Sequence, residues 1–163
     1  QDNAATAAAV LAWWAPEVDA ATMRRGFASA TLAARCQRIK HGGRTLLIDG
    51  AHNRESISAT VAVARQRLRP GWRLIMGLAN DKEIDEIMSV IPPSLVVTRC
   101  GYHSLRARSV DQWPQAAQLW RWCDNIADAL RIQPPDTDVC VTGSFYLAGE
   151  ALNHVGHQGD TPG

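Results

Sequence analysis

From residue 44 onward, short apolar runs alternate with polar loops and helix-compatible stretches, and this alternation constrains the fold more than any other feature. The runs are 45–48 (TLLI), 73–76 (RLIM), 95–98 (LVVT), 119–123 (LWRWC) and 138–142 (DVCVT). Helices are predicted between them over about 54–68, 82–90, 109–117 and 125–132, with a last one over 145–153. Strands this short and this apolar suit a sheet buried on both faces, with the intervening helices as crossovers between parallel neighbours. Ahead of them, 35–40 (RCQRIK) and 44–48 (RTLLI) flank His41-Gly42-Gly43 and read as a hairpin. The predicted fold is α/β, a mostly parallel sheet of about six strands with helices on both faces.

The first 31 residues have a different texture. Residues 4–14 (AATAAAVLAWW) contain neither glycine nor proline and are predicted helical until Pro16. A second helix is predicted from Asp19, a good N-cap, carrying Met23 and Phe27 at i, i+4 spacing. Two short helices cannot bury Trp13, Trp14 and Phe27 between themselves, so this segment is expected to need a partner surface. Residues 154–163 (HVGHQGDTPG) are polar, glycine-rich and aperiodic, and a flexible tail is predicted there. The division read from the sequence is therefore 1–31, 32–153 and 154–163. The opening at Gln1, with no secretory layout behind it, leads to the expectation that the chain is excised from a longer polypeptide.

Composition excludes several classes of function. A net charge of +1 gives no electrostatic footprint for nucleic acid or an anionic membrane, and no apolar run approaches the length of a membrane span. The four cysteines (Cys36, Cys100, Cys123, Cys140) form no CxxC pair; this argues against a metal site and fits a reducing, cytoplasmic compartment. Cys123 and Cys140 lie among apolar residues and read as small buried hydrophobes. There is no GxxxxGK[ST] phosphate loop, no GxGxxG after the first strand, no GxSxG elbow and no HExxH.

Ligands of an open parallel sheet gather at the carboxyl ends of its strands. Three segments fall there: Asp49-Gly50-Ala51-His52-Asn53, Gly77-Leu78-Ala79-Asn80-Asp81-Lys82 and Thr142-Gly143-Ser144-Phe145-Tyr146. Each pairs a glycine with polar side chains and leads into a helix. Each residue also has a plain structural reading: Asp49 and Ser144 as helix caps, His52 as a loop histidine, Lys82 as a solvated first-turn residue. Lys82 stands out, because only it and Lys40 are lysines while fifteen basic residues are arginine. In a helix's first turn a lysine opposes the dipole, and its compact ammonium suits a carboxylate or phosphate.

The strings LLIDGAHN, the G-x-x-x-DK loop, VTGSFYLAGE and the stretch 105–113 (LRARSVDQW) together resemble the C-terminal domain of the folylpolyglutamate synthase/dihydrofolate synthase family, within the Mur ligase superfamily. The resemblance covers roughly 32–153 and implies a Rossmann-like Mur ligase C-terminal domain. It implies that 1–31 is the helical end of a preceding central ATPase domain, with the phosphate loop and magnesium ligands in the absent N-terminal part. The family's reaction makes an acyl phosphate from a pterin or folate carboxylate and ATP, which L-glutamate's amine then attacks. By position, Arg35 would contact nucleotide phosphates, Asp49 the ribose, and Asn53 the adenine. His52 would lie between nucleotide and glutamate, while Lys82 and Ser144 would hold glutamate itself, with His52 and Lys82 counted as catalytic. The expected cofactors are ATP and Mg2+, and the expected partners are L-glutamate, a pterin or folate substrate and the N-terminal ATPase domain. Three positions depart from the family pattern: Leu32-Ala33-Ala34 replaces the aromatic-Pro-Gly before Arg35, Arg54 replaces the proline after DGAHN, and Leu105 replaces the PRA proline. Competing readings are a peptidoglycan-type Mur ligase domain and a non-catalytic binding module of the same fold.

Overall fold

A computed structural model describes residues 2–159, which divide into two compact units at Ala33/Ala34. In the first unit, α1 (Asp2–Trp14) ends before Pro16, and α2 (Ala20–Ser29) starts at Asp19, whose carboxylate accepts from the Thr22 amide at 2.7 Å. That bond satisfies one of the donors a helix start leaves open. No residue of α2 is buried, and Trp13 is 84% exposed.

The second unit opens with a hairpin, β1 (Gln37–His41) and β2 (Arg44–Ile48), whose turn residues Gly42 and Gly43 have φ of 55° and 81°. Glycine occupies that left-handed region without steric cost. There follow α3 (Arg54–Arg67), β3 (Arg73–Met76), α4 (Ile84–Ser89), β4 (Val97–Cys100), β5 (Arg121–Cys123), α5 (Ile126–Arg131), β6 (Val139–Thr142) and α6 (Phe145–Gly159). Among the described residues six strands form one sheet, in the order β1-β2-β6-β3-β4-β5. Only β1 is antiparallel; Leu47 pairs with Cys140 and Ile75 with Val141 in the parallel ladders. The expected α/β architecture is therefore present.

Both faces of the sheet are covered, and strand alternation divides the core. Leu46, Ile48, Ile75, Val139 and Val141 meet Ala129, Leu130, Leu147 and Ala151 of α5 and α6. Leu47, Leu74, Met76 and Cys140 meet Ile57, Val61 and Ala64 of α3 and Ile87 of α4. Because successive side chains point to opposite faces, the central strands must be apolar throughout. β6 enters last, between β2 and β3, so the loops leaving β2, β3 and β6 emerge side by side.

Several boundaries differ from the sequence reading, and four of the differences have a clear cause or bear on the strand-end loops. The predicted helix 109–117 is instead two 3-10 turns, Val110–Gln112 and Gln115–Leu119, because Pro114 between them lacks the amide a continuous helix needs. β4 starts two residues later than expected, since Leu95 donates to the Pro92 carbonyl and is still in the turn. α4 starts at Ile84, so Lys82 lies in the loop ahead of the helix and not in its first turn. α6 runs on through His154 to Gly159, with Val155 buried in the core, where a tail was expected; residues 160–163 of that segment lie outside the described residues.

Candidate functional site

His52, Lys82 and Ser144 come from the loops after β2, β3 and β6, and they line one recess of about 180 Å³ together with Tyr102, Arg106 and Phe145. A second recess of about 240 Å³ shares His52 and Lys82 and adds Asn53, Asp81 and Glu83. Thus His52 and Lys82 border both. Two glycines let the rim close this tightly. Gly143 has φ of 105°, and a Cβ there would lie 2.5 Å from the Gly77 carbonyl oxygen. A Cβ on Gly50 would come within 2.3 Å of the Phe145 ring.

The His52 ring places Nδ1 3.0 Å from the Gly50 carbonyl oxygen. A carbonyl only accepts, so Nδ1 carries the hydrogen, and Nε2 of the neutral ring is an acceptor. The ammonium of Lys82, whose side chain is 29% exposed, lies 3.8 Å from the Asp81 carboxylate, which Arg106 also contacts at 2.6 Å. The Arg106 guanidinium holds the Asp81 carboxyl below its usual range, with the Lys82 charge adding to the effect. The rim therefore has two cations sharing one carboxylate, an arrangement open to a second anion. Ser144, 6% exposed, caps the start of α6: its hydroxyl accepts from the Tyr146 amide at 3.1 Å. Tyr102 and Tyr146 stack with centroids 6.2 Å apart, and burial pushes the Tyr102 phenol up against the opposing pull of the Ser144 hydroxyl.

Asn53 is the N-cap of α3, its side chain accepting from the Ser56 amide in a capping box. Arg35 lies beside the rim, its guanidinium 4.7 Å from the centroid of the Phe145 ring.

Asp49, expected to offer its carboxylate to a ribose, is tied to its own chain. It is 5% exposed, and both oxygens are engaged: Oδ2 accepts from the Cys36 amide at 2.7 Å, while Oδ1 accepts from the Ala51 amide at 2.8 Å and the Thr60 hydroxyl at 2.9 Å. Its geometry explains the segment before β1. Ala34 and Cys36, on either side of Arg35, have φ of 57° and 46°, a left-handed conformation disfavoured for residues with a Cβ. Asp49 holds Cys36, and the Ala34 carbonyl accepts from the Gly50 amide at 2.8 Å. The aspartate thus fastens the backbone that carries Arg35. Burial, then the Asp49 charge, push the Cys36 thiol up to about 11.

Sequence reasoning missed Arg108 and Tyr102. Arg108, buried, donates through Nη2 to the Lys82 carbonyl at 2.7 Å and the Asn80 carbonyl at 3.3 Å, and through Nη1 to Gln112 at 2.8 Å. It clamps the loop bearing Lys82 through contacts 26 residues distant in sequence. Tyr102 follows Gly101 at the end of β4, where the rule used for the other three loops applies; placing that strand two residues early hid it. Among the described residues no group of His, Cys, Asp and Glu is disposed to hold a metal ion, and no helix is long and apolar enough to cross a membrane.

No protein-family model matches the chain. A curated folylpolyglutamate synthase from Lacticaseibacillus casei is 26% identical over 140 residues, covering 77% of this chain and 30% of its own length. Of solved structures, a Mycobacterium tuberculosis folylpolyglutamate synthase complexed with ADP and AMPPCP matches at 26% identity with a TM-score of 0.73, over 85% of this chain and 36% of the other. Escherichia coli FolC in complex with DHPP and ADP matches in fold, at 23% identity and a TM-score of 0.81, over 98% of this chain and 40% of the other. The chain thus spans 30–40% of the length of these relatives.

Proposed function

We propose, from a chain that resembles the C-terminal domain of the folylpolyglutamate synthases in both sequence and fold, that it supplies the amino-acid-binding rim of an ATP-dependent ligase. The reaction is addition of L-glutamate to dihydropteroate or a folate through an acyl phosphate. One observation carries this reading: three strand-end loops bring an imidazole, an ammonium and a buried hydroxyl to a single recess.

The chemistry asks three things of such a rim. The first is capture of an anionic amino acid: Lys82, with Arg106 beside it, exchanges part of its pairing with Asp81 for a glutamate carboxylate, and the Ser144 loop closes on the same group. The second is removal of a proton. The glutamate ammonium must lose one before its nitrogen attacks the acyl carbon and inorganic phosphate leaves, and Nε2 of His52 is the acceptor on the recess wall. The third is contact with nucleotide: Arg35 serves the phosphates, Asn53 the adenine side and Asp49 the ribose, while Asp49 also holds the backbone that carries Arg35. ATP supplies the phosphoryl group that activates the carboxylate. On the resemblance, magnesium's ligands and the phosphate loop are supplied by an N-terminal ATPase domain, and residues 1–31 form the helical end of the part that precedes this domain.

The test is glutamate titration of isotope-labelled protein, followed by NMR at residues 52, 79–82 and 143–146. Weak, saturable shifts are expected at these loops, weakened about tenfold in Lys82→Ala. Shifts that are indifferent to Lys82, or that map elsewhere, would remove the reading. In a full-length enzyme the same substitution raises the KM for glutamate.

A further inference from the structure

Two consecutive residues of the loop after β4, Tyr102 and His103, meet two residues one turn apart on α6, Tyr146 and Glu150. Positions i and i+4 share a helix face, so α6 takes hold of this loop with a single stripe. The stack of Tyr102 on Tyr146, with centroids 6.2 Å apart, is at the loose end of the roughly 4.5–7 Å range for aromatic pairs. The bond beside it is tighter. Glu150 Oε1 accepts from the His103 amide at 2.6 Å and lies 3.3 Å from Nδ1 of the His103 ring. A carboxylate accepting from an amide makes a strong, charge-assisted bond. The Glu150 side chain is 25% exposed and that of His103 94%, so the bond lies at the margin of the core and holds the loop more than it holds the fold. What it holds matters at the rim, because Tyr102 and Arg106 both line the recess. Between them the chain is tightly turned. The Ser104 amide donates to the Tyr102 carbonyl at 3.0 Å, and the Ser104 hydroxyl accepts from the Arg106 amide at 3.2 Å. The Tyr102 ring is also pressed against Gly77, where an added Cβ would lie 3.0 Å from Cδ1. Placing His103 therefore places both the ring and the cation.

We propose that Glu150 is a positioning residue for the rim: by holding the His103 amide it fixes the Tyr102 wall and the reach of the Arg106 guanidinium, and so sets how tightly the recess grips an anionic amino acid. The identity of that ligand rests on the ligase reading; the tether itself does not. Glu150 closes the VTGSFYLAGE string, whose earlier residues Ser144, Phe145 and Tyr146 line the recess. Glu150 is not on the recess wall and acts through His103. The far end of the segment is tied by the Asn80 amide, which donates to the Arg106 carbonyl at 2.8 Å, and Glu150 ties the near end. When a substrate carboxylate draws the Arg106 guanidinium from Asp81, the two ties decide where that guanidinium can go.

The experiment compares Glu150→Ala, Glu150→Asp and Glu150→Gln with wild type by NMR, first without ligand and then with L-glutamate. Without ligand, Glu150→Ala is expected to speed exchange of the His103 amide about tenfold and to shift the ring signals of Tyr102 and Tyr146, with the urea midpoint nearly unchanged. Glu150→Asp, which keeps the charge but is one methylene shorter, behaves like alanine. Glu150→Gln, which keeps an acceptor oxygen at full length, restores most of the wild-type pattern. With glutamate, affinity falls about threefold to tenfold in the first two variants and recovers in the third. In a full-length ligase the same loss appears in the KM for glutamate, with kcat and the KM for ATP unmoved. The proposal is overturned if the His103 amide and the tyrosine rings are unchanged in Glu150→Ala. It is equally overturned by a loosened loop whose glutamate affinity equals that of wild type. Absence of glutamate shifts at the rim of wild type is a failure of the ligase reading and not of the tether, which the ligand-free comparison decides by itself. Should Glu150→Ala fail to fold, Glu150→Asp takes its place.

Discussion

Each end of the sheet has a buried aspartate, and the two make different attachments. Asp138, just ahead of β6, accepts from the Thr45 amide at 2.8 Å, the Arg69 amide at 2.9 Å and the Arg69 guanidinium at 2.7 Å. Asp49, just after β2, accepts only from uncharged donors, two amides and a hydroxyl. Both are fasteners joining distant parts of the chain. Beside Asp49, half-buried His52 and Lys82 face a recess. Burial inside such a motif therefore goes with a structural bond, and partial exposure leaves a side chain facing the recess.

The largest expected effect is at Asp138. Replacement by alanine strands the buried Thr45 amide and the Arg69 donors and lowers stability by about 3 kcal/mol, read as a fall in the urea midpoint. Asp49→Ala is expected to cost about 2 kcal/mol and also to free the 34–36 segment, read as faster amide exchange at Cys36. Equal costs with no local loosening would break the distinction between a clamp and a positioning residue. Arg108→Met is expected to cost about 1 kcal/mol and to speed exchange in the 79–82 loop, and so to weaken the proposed glutamate binding even though Arg108 does not line the recess. Lys82→Ala is expected to leave stability within about 0.5 kcal/mol while weakening the proposed glutamate binding about tenfold, the opposite signature to Asp49.

Acid sharpens the comparison further. Hydrogen bonds from Arg69 and Thr45 outweigh burial and hold the Asp138 carboxyl well below the usual range. A carboxyl depressed in the folded state contributes stability that is complete above its unfolded value, about 3.9, and is lost as pH falls toward the folded one. The stability gap between wild type and Asp138→Asn should therefore be constant at neutral pH and shrink below about pH 4. A gap that holds at low pH would mean that shape, and not charge, makes this fastener. On the Asp49 side, Cys36 should alkylate slowly until the pH approaches about 11, and more readily in Asp49→Asn.

The sequence alone determined what depends on neighbours a few residues apart. Asp19 as an N-cap, the Gly42-Gly43 turn, the doubly apolar strands and the three strand-end loops were all legible, because capping, φ and alternation act over two to five positions. The resemblance in DGAHN and TGSFYL added names for the loops without deciding the bonds each residue makes. Where sequence reasoning erred, a local breaker outweighed the apolar pattern, as with Pro114 and with the turn holding Leu95. Only the tertiary structure decided that Asp49 turns inward to Cys36, that Arg108 grips the Lys82 carbonyl, and that Glu150 reaches the His103 amide. Those outcomes turn on partners 13, 26 and 47 residues away, brought near by the packing of both faces of the sheet. A side chain's role as fastener or functional group is set by the partners that packing brings to it, and that is a property of the folded chain.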